Sequence, residues 1–324
     1  MFLTNKTVVY GKTESTPYTT ETSLADADFN VRVREISYSF DIAEFRRKIA
    51  DGTLDYSESI MGKQQATVTF KVDMTPGATV STEPNWSKFV EACGFKKTAH
   101  GATGISWVPH VDNTHTPITI EVEEIEEGAS PDGLKVVIGG AMGNAKFNVG
   151  TVGEPVTMEF EFTGKLYSIE DFASGDRIDP TTFATPTPPP LLCATATINS
   201  VAQDFDTFEF DMANDVQIWT DPSDCTGIKG AYIAGREPQM TLDPYMKLVA
   251  TEDWYGDLTN SVISPRAISV ALAVSPGLTL SAPKGQLIQV APGERNGART
   301  AEKTLLLEKD SSNDVFKILQ GSES

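Results

Sequence analysis

Cysteine and histidine are scarce, with three of each in 324 residues. Cys93, Cys193 and Cys225 are too few and too far apart for a disulfide framework, and their spacing matches no zinc motif. Positive charge is also short: 26 Lys and Arg stand against 45 Asp and Glu, for a formal net charge of −19. A protein that grips nucleic acid by its phosphates needs a basic footprint, which this composition excludes. No apolar run approaches the roughly 18 residues of a membrane-spanning helix, so no membrane partner is expected. The amino-terminal Met1-Phe2-Leu3-Thr4-Asn5-Lys6 lacks the basic start and apolar block of a secretory signal, so synthesis in the cytoplasm is expected.

Catalytic signatures are missing as well. There is no Gly-x-x-x-x-Gly-Lys-Ser/Thr loop, no Gly-x-Gly-x-x-Gly after a strand, no Gly-x-Ser-x-Gly elbow and no His-Glu-x-x-His. His100, His110 and His115 lie close enough in sequence to raise the idea of a metal site. Their stretch Trp107-Val108-Pro109-His110-Val111-Asp112-Asn113-Thr114-His115 reads instead as a polar loop with surface histidines. The run Glu121-Val122-Glu123-Glu124-Ile125-Glu126-Glu127 puts Glu121 and Glu123 on one strand face, whereas calcium loops draw oxygens from several directions around a turn. A solvated or cavity-facing strand face is the expectation there. No catalytic residue, metal or cofactor is assigned.

What the chain does have is two-residue periodicity. Ile36, Tyr38, Phe40 and Ile42 alternate with polar residues, as do Val68, Phe70, Val72 and Met74, then Ile118, Ile120 and Val122, then Met158, Phe160 and Phe162. Phe208, Phe210 and Met212 repeat the pattern in the second half. Each reads as a strand with one apolar and one polar face. Ile118–Ile125 and Leu134–Ile138 flank Pro131-Asp132-Gly133, a turn sequence, and are expected to pair as a hairpin. Helices are few. Pro84 to Cys93 places Trp86, Phe89, Val90 and Cys93 at helical spacing, with Gly94 as the stop. Asp41 to Ala50 carries both a helical face and the continuation of a strand, and local signals do not choose between them.

The length fits two domains, and composition marks a boundary. Pro180-Thr-Thr-Phe-Ala-Thr-Pro-Thr-Pro-Pro-Pro190 holds five prolines in eleven residues, which favours an extended linker. The expected organisation is a first domain over 1–178, a linker over 179–192 and a second domain over 193–324. Acid is spread over both parts, with 16 basic against 27 acidic residues in 1–180 and 10 against 18 in 181–324. A weak repeat supports duplication: Ser59-Ile60-Met61-Gly62-Lys63-Gln64 resembles Tyr232-Ile233-Ala234-Gly235-Arg236-Glu237, each following an alternating strand by a similar interval.

The order of these features resembles the tail tube (major tail) proteins of long-tailed bacteriophages. The helix ending Phe89-Val90-Glu91-Ala92-Cys93-Gly94-Phe95 and the close Phe160-Glu161-Phe162-Thr163-Gly164 carry most of the likeness. The second half is similar through Gly235-Arg236-Glu237-Pro238, Thr241-Leu242-Asp243 and Ser281-Ala282-Pro283-Lys284-Gly285-Gln286-Leu287, but lacks a long helix after Leu242. The resemblance implies a mainly β chain of two tandem β-barrel or sandwich domains, each with few helices. It implies a structural virion protein, made in the host cytoplasm, whose trimeric rings stack into the hollow tail tube. The implied partners are further copies of itself, the tape measure, tail terminator and distal tail proteins, and genomic DNA that passes without specific binding. A wall that DNA must slide along is expected to be acidic. Glu35, Asp41, Asp55, Glu58, Glu209 and Asp211, on or beside the expected inner hairpins, are the candidate lumen-lining residues. The alternatives are a β-sandwich receptor-binding or surface-decoration protein, and an inner-tube protein of a contractile tail or secretion system.

Overall fold

The computed structural model describes residues 2–21, 24, 31–47, 58–110, 116–127, 132–149, 151–173, 187–188, 190–259, 265–272, 276–310 and 314–323. Its first half contains β1 (Phe2–Thr13), β2 (Val33–Phe45), β3 (Ile60–Asp73), α1 (Ser87–Ala92), β4 (Phe95–Ala99), β5 (Gly104–Pro109), β6 (Ile118–Glu126), β7 (Gly133–Val149) and β8 (Thr157–Phe172). The second half begins with β9 (Thr195–Ile198), β10 (Val201–Gln203), β11 (Phe208–Asp211), β12 (Asn214–Thr220), β13 (Ile228–Arg236) and β14 (Gln239–Leu242). It ends with α2 (Trp254–Thr259), β15 (Arg266–Leu272), β16 (Leu278–Arg295), β17 (Ala298–Leu307) and β18 (Lys317–Gly321). The chain is mainly β. All the expected alternating segments are strands, and β6 and β7 pair with Glu124 opposite Leu134.

One hydrogen-bonded path runs β10-β9-β15-β16-β17-β14-β11-β7-β8-β3-β2, and it does not close into a barrel among the described residues. The two halves share this sheet, because β11 pairs with β7, Phe210 opposite Phe147. They meet a second time where β18 pairs with β5. In the linker region, residues 174–186 and 189 lie outside the described residues; Pro190 bridges Pro155, and Leu191 is buried.

The core follows from the alternation. Across eight strands, Val33, Val72, Met158, Phe147, Phe210, Met240, Leu305 and Leu287 stand directly opposite one another in turn. All eight pack in one apolar core. A second layer covers them: Phe316, just before β18, meets Phe147 and stacks on Phe210, and Phe95 on β4 packs edge-on against Phe316. Burial of each such ring contributes roughly 1.5–3 kcal/mol.

The helix at 84–93 is present but short. Its N-terminal turn starts at Pro84, whose carbonyl accepts from the Ser87 amide, and Gly94 ends it with a φ of +87°. Trp86 and Phe89 are buried, Trp86 donating to the Thr75 carbonyl at 2.7 Å, and Cys93 is a buried thiol whose pKa burial pushes well up. Residues 41–45 of the ambiguous segment extend β2, paired with β3 from Asp41 opposite Gln65 to Phe45 opposite Ile60; 48–50 lie outside the described residues. In the second half a single turn, α2, follows Leu242, anchored by buried Trp254.

Candidate functional site

The strand alternation that builds the core also builds an opposite, polar face. One position along from the core row, Arg34, Lys71, Glu159, Lys146, Asp211, Gln239, Leu306 and Gln286 stand opposite one another across the same eight strands. The row on the other side of the core row runs Asp73, Thr157, Asn148, Glu209, Thr241, Thr304 and Gln289. Further along β3, β8 and β7, Thr69, Glu161 and Asn144 continue the polar face. None of these side chains is buried.

Of the six residues singled out from sequence, Glu209 and Asp211 lie on this face. Both pair with Lys146, at 3.2 and 3.3 Å. Partial burial opposes the Lys146 charge, but the two carboxylates outweigh it and hold the ammonium above its ordinary pKa. Asn144 donates to Asp211 at 2.8 Å and accepts from the Asn214 amide at 3.0 Å, which fixes the start of β12. Glu35 sits at a bulge in β2 with a φ of +53° and accepts a hydrogen bond from Lys71, whose pKa it raises. Asp41 is exposed on β2 and Glu58 is exposed just before β3, so both lie toward the far end of the hairpin, away from Glu209 and Asp211. Asp55 lies outside the described residues. The face also holds Glu159 and Glu161, which sequence reasoning did not single out, although their alternation with Met158, Phe160 and Phe162 marks them as polar-side. Acid therefore outnumbers base here, with Asp73, Glu159, Glu161, Glu209 and Asp211 set against Arg34, Lys71 and Lys146. The remaining polar positions are mostly Thr, Asn and Gln.

The other candidates fare differently. Glu121 and Glu123 share a strand face as expected, but that face is buried rather than solvated, because β1 pairs with β6 and sets Tyr10 opposite Glu121. Tyr10 donates to Glu123 at 3.4 Å, yet burial, with the neighbouring Glu121 charge, pushes the Glu123 carboxyl up to about 8. His100 and His110 are half-buried rather than on the surface. His100 hydrogen-bonds the Ser106 hydroxyl at 2.8 Å, and the His110 carbonyl accepts from Arg236. His115 lies outside the described residues.

The surface thus offers a broad polar sheet face of net acidic character. A family model for the phage tail tube protein matches residues 4–304. The chain belongs to the phage tail tube protein family. Its role is accordingly structural, in the tail tube of the virion. A search of curated proteins finds no match. Among the described residues, no helix is long and apolar enough to cross a membrane.

Proposed function

We propose that this tail tube protein polymerises into the hollow tube through which phage DNA passes from capsid to cell. On this reading residues 1–178 and 193–324 act as two tandem tube domains joined by the 179–192 linker, and three chains make one ring. Stacking of rings is a head-to-tail contact that does not close and so yields a tube. The tube ends would meet terminator and distal tail proteins, and the lumen would hold the tape measure before DNA. The observation that carries the reading is the polar face of the shared sheet, with Glu159, Glu161, Glu209 and Asp211 outnumbering the bases among them. Such a wall repels phosphates and lets DNA slide, where a basic wall would hold it by counterion release. Glu35, Asp41, Asp55, Glu58, Glu209 and Asp211 are the proposed lumen-lining carboxylates.

Negative-stain microscopy of the concentrated protein tests this. Hollow filaments or rings are expected. Stable monodisperse monomers that bind sugars would overturn it in favour of a receptor-binding module.

A further inference from the structure

The amino-terminal strand closes over acid that has little room for its charge. Ile118, Ile120 and Val122 turn one face of β6 into the apolar core, and on the opposite face Thr119, Glu121 and Glu123 follow one another. All three are buried, Glu121 at 6% and Glu123 at 1% exposure. β1 lies along one side, with Val8 opposite Glu123, Tyr10 opposite Glu121 and Lys12 opposite Thr119. β7 lies along the other, with Lys135 opposite Glu123 and Val137 opposite Glu121, and β8 sets Glu170 beyond Lys135. The residues after β1 fold back over the same face. Leu24 packs on Tyr10, and the Glu21 amide donates to the Thr119 hydroxyl at 3.1 Å. Glu14, itself buried, accepts from that hydroxyl at 3.0 Å and from the Gly140 amide at 2.6 Å.

The charged and titratable groups facing the pair are therefore Tyr10 and Lys12 on β1, Lys135 on β7, Glu170 on β8 and Glu14 in the covering segment. Tyr10 donates to Glu123 at 3.4 Å, and the Glu121 and Glu123 side chains hydrogen-bond to each other. Ionised carboxylates only accept, so a contact between two of them requires a proton on one. Burial raises both carboxyls, with Lys135 pulling Glu121 back and the Glu121 charge pushing Glu123 further, to about 8. Glu14, by contrast, already accepts from two donors.

We propose that a proton shared by Glu121 and Glu123 latches β1 and the segment 14–21 onto β6. With the proton in place the pair is a neutralised, hydrogen-bonded unit over which the cover closes. Without it two like charges lie beneath Tyr10 and drive the cover open. β1 is the element that gives way, because it pairs with β6 alone among the described strands, whereas β6 is held by β7 as well. Opening lets water reach both carboxyls and returns them toward the ordinary carboxylate value. Between that value and about pH 8 the closed form holds one proton more than the open form. Closure therefore weakens by about tenfold per pH unit across that window and levels off above it.

Native-state hydrogen exchange tests this, read as protection factors so that the intrinsic pH dependence of exchange drops out. In the unmodified protein the amides of 8–13 should lose about tenfold in protection per pH unit between about pH 5 and about pH 8, while those of β17, remote from the pair, stay level. Glu123→Gln supplies a donor to Glu121 with no titrating proton, so protection of 8–13 should be level over the same range. No slope at 8–13 in the unmodified protein, an equal slope at β17, or a slope that survives Glu123→Gln overturns the latch. Should the variant fail to fold, carbon-13 titration of the glutamate carboxyls in the unmodified protein still decides. A coupled pair of carboxyls with an upper midpoint at about 8 is expected. Completion of every glutamate titration by about pH 6 overturns the proposal.

Discussion

In the second half of the molecule the β12–β13 hairpin rests on β7 and β8 of the first half, its loop tied down by Asp224 to Lys165 at 3.0 Å and by the Thr226 carbonyl to the Gln64 amide at 3.0 Å. In the first half the far end of the β2–β3 hairpin is exposed, with Phe45 58% and Met61 62% accessible. Both hairpins carry one non-glycine residue in the left-handed region near the base, Glu35 and Ala213, so that feature does not explain the difference. The difference lies in what each packs against: β12–β13 has β7 and β8 beneath it, whereas the far end of β2–β3 keeps its apolar side chains exposed. The comparison breaks hardest at Phe210, which anchors the covered hairpin between Phe147 and Phe316. Phe210→Ala removes a fully buried ring and should cost about 3–5 kcal/mol of stability in urea unfolding. A loss below about 1 kcal/mol would mean that the junction does not hold the halves together.

The tie at the hairpin loop gives a smaller, pH-dependent effect. Burial works against the Asp224 charge, but hydrogen bonds from the Thr226 hydroxyl and amide and from Lys165 outweigh it, and its pKa lies below the ordinary carboxylate value. A depressed folded pKa means stability present above the unfolded value and lost as pH falls through the folded one. Lys165 is buried, so Asp224→Asn removes the carboxylate it hydrogen-bonds at 3.0 Å and should cost about 1–3 kcal/mol at neutral pH. The gap between variant and parent should shrink as urea unfolding is repeated from pH 7 down to pH 3. The Gln64 amide should exchange faster in the variant. A gap that stays constant to pH 3 would show that the ion pair is not what holds the loop.

Much of this architecture could be read in the sequence, for a physical reason. A strand with one buried face must alternate, so Phe160-Glu161-Phe162 and Phe208-Glu209-Phe210 announce both their structure and their polar side. The helix was visible because Trp86, Phe89, Val90 and Cys93 share a face and Gly94 supplies the left-handed stop. Residues 41–45 were ambiguous because Ile42 continues the alternation of Ile36, Tyr38 and Phe40 while also sharing a helical face with Phe45 and Ile49, and the pairing of Asp41 with Gln65 and Phe45 with Ile60 decides for strand through contacts distant in sequence. The burial of Glu121 and Glu123 was illegible for the same reason, since the cover comes from Tyr10 on β1. Glu159 and Glu161 could have been picked with Glu209 and Asp211, because all four carry the same alternation. What placed them on one face was the β11–β7 junction, and a pairing between halves leaves no mark in either segment alone.

The smallest effect on the subunit itself is expected at the uncovered hairpin. Phe40 and Ile42 are already 40% and 43% accessible, so replacing both by serine removes little buried apolar area. The unfolding free energy of the isolated subunit should move by no more than about 0.5 kcal/mol, as for surface positions generally. Assembly should respond differently. If a second copy covers these side chains, each loses up to about 1.5–3 kcal/mol of burial in the ring, a penalty repeated at every junction. The Phe40→Ser, Ile42→Ser protein should therefore unfold like its parent in urea and yet fail to form rings or filaments at concentrations where the parent does. Equal assembly by both proteins would mean that the exposed end stays uncovered in the tube. The contrast between the hairpins seen in the subunit would then persist in the tube.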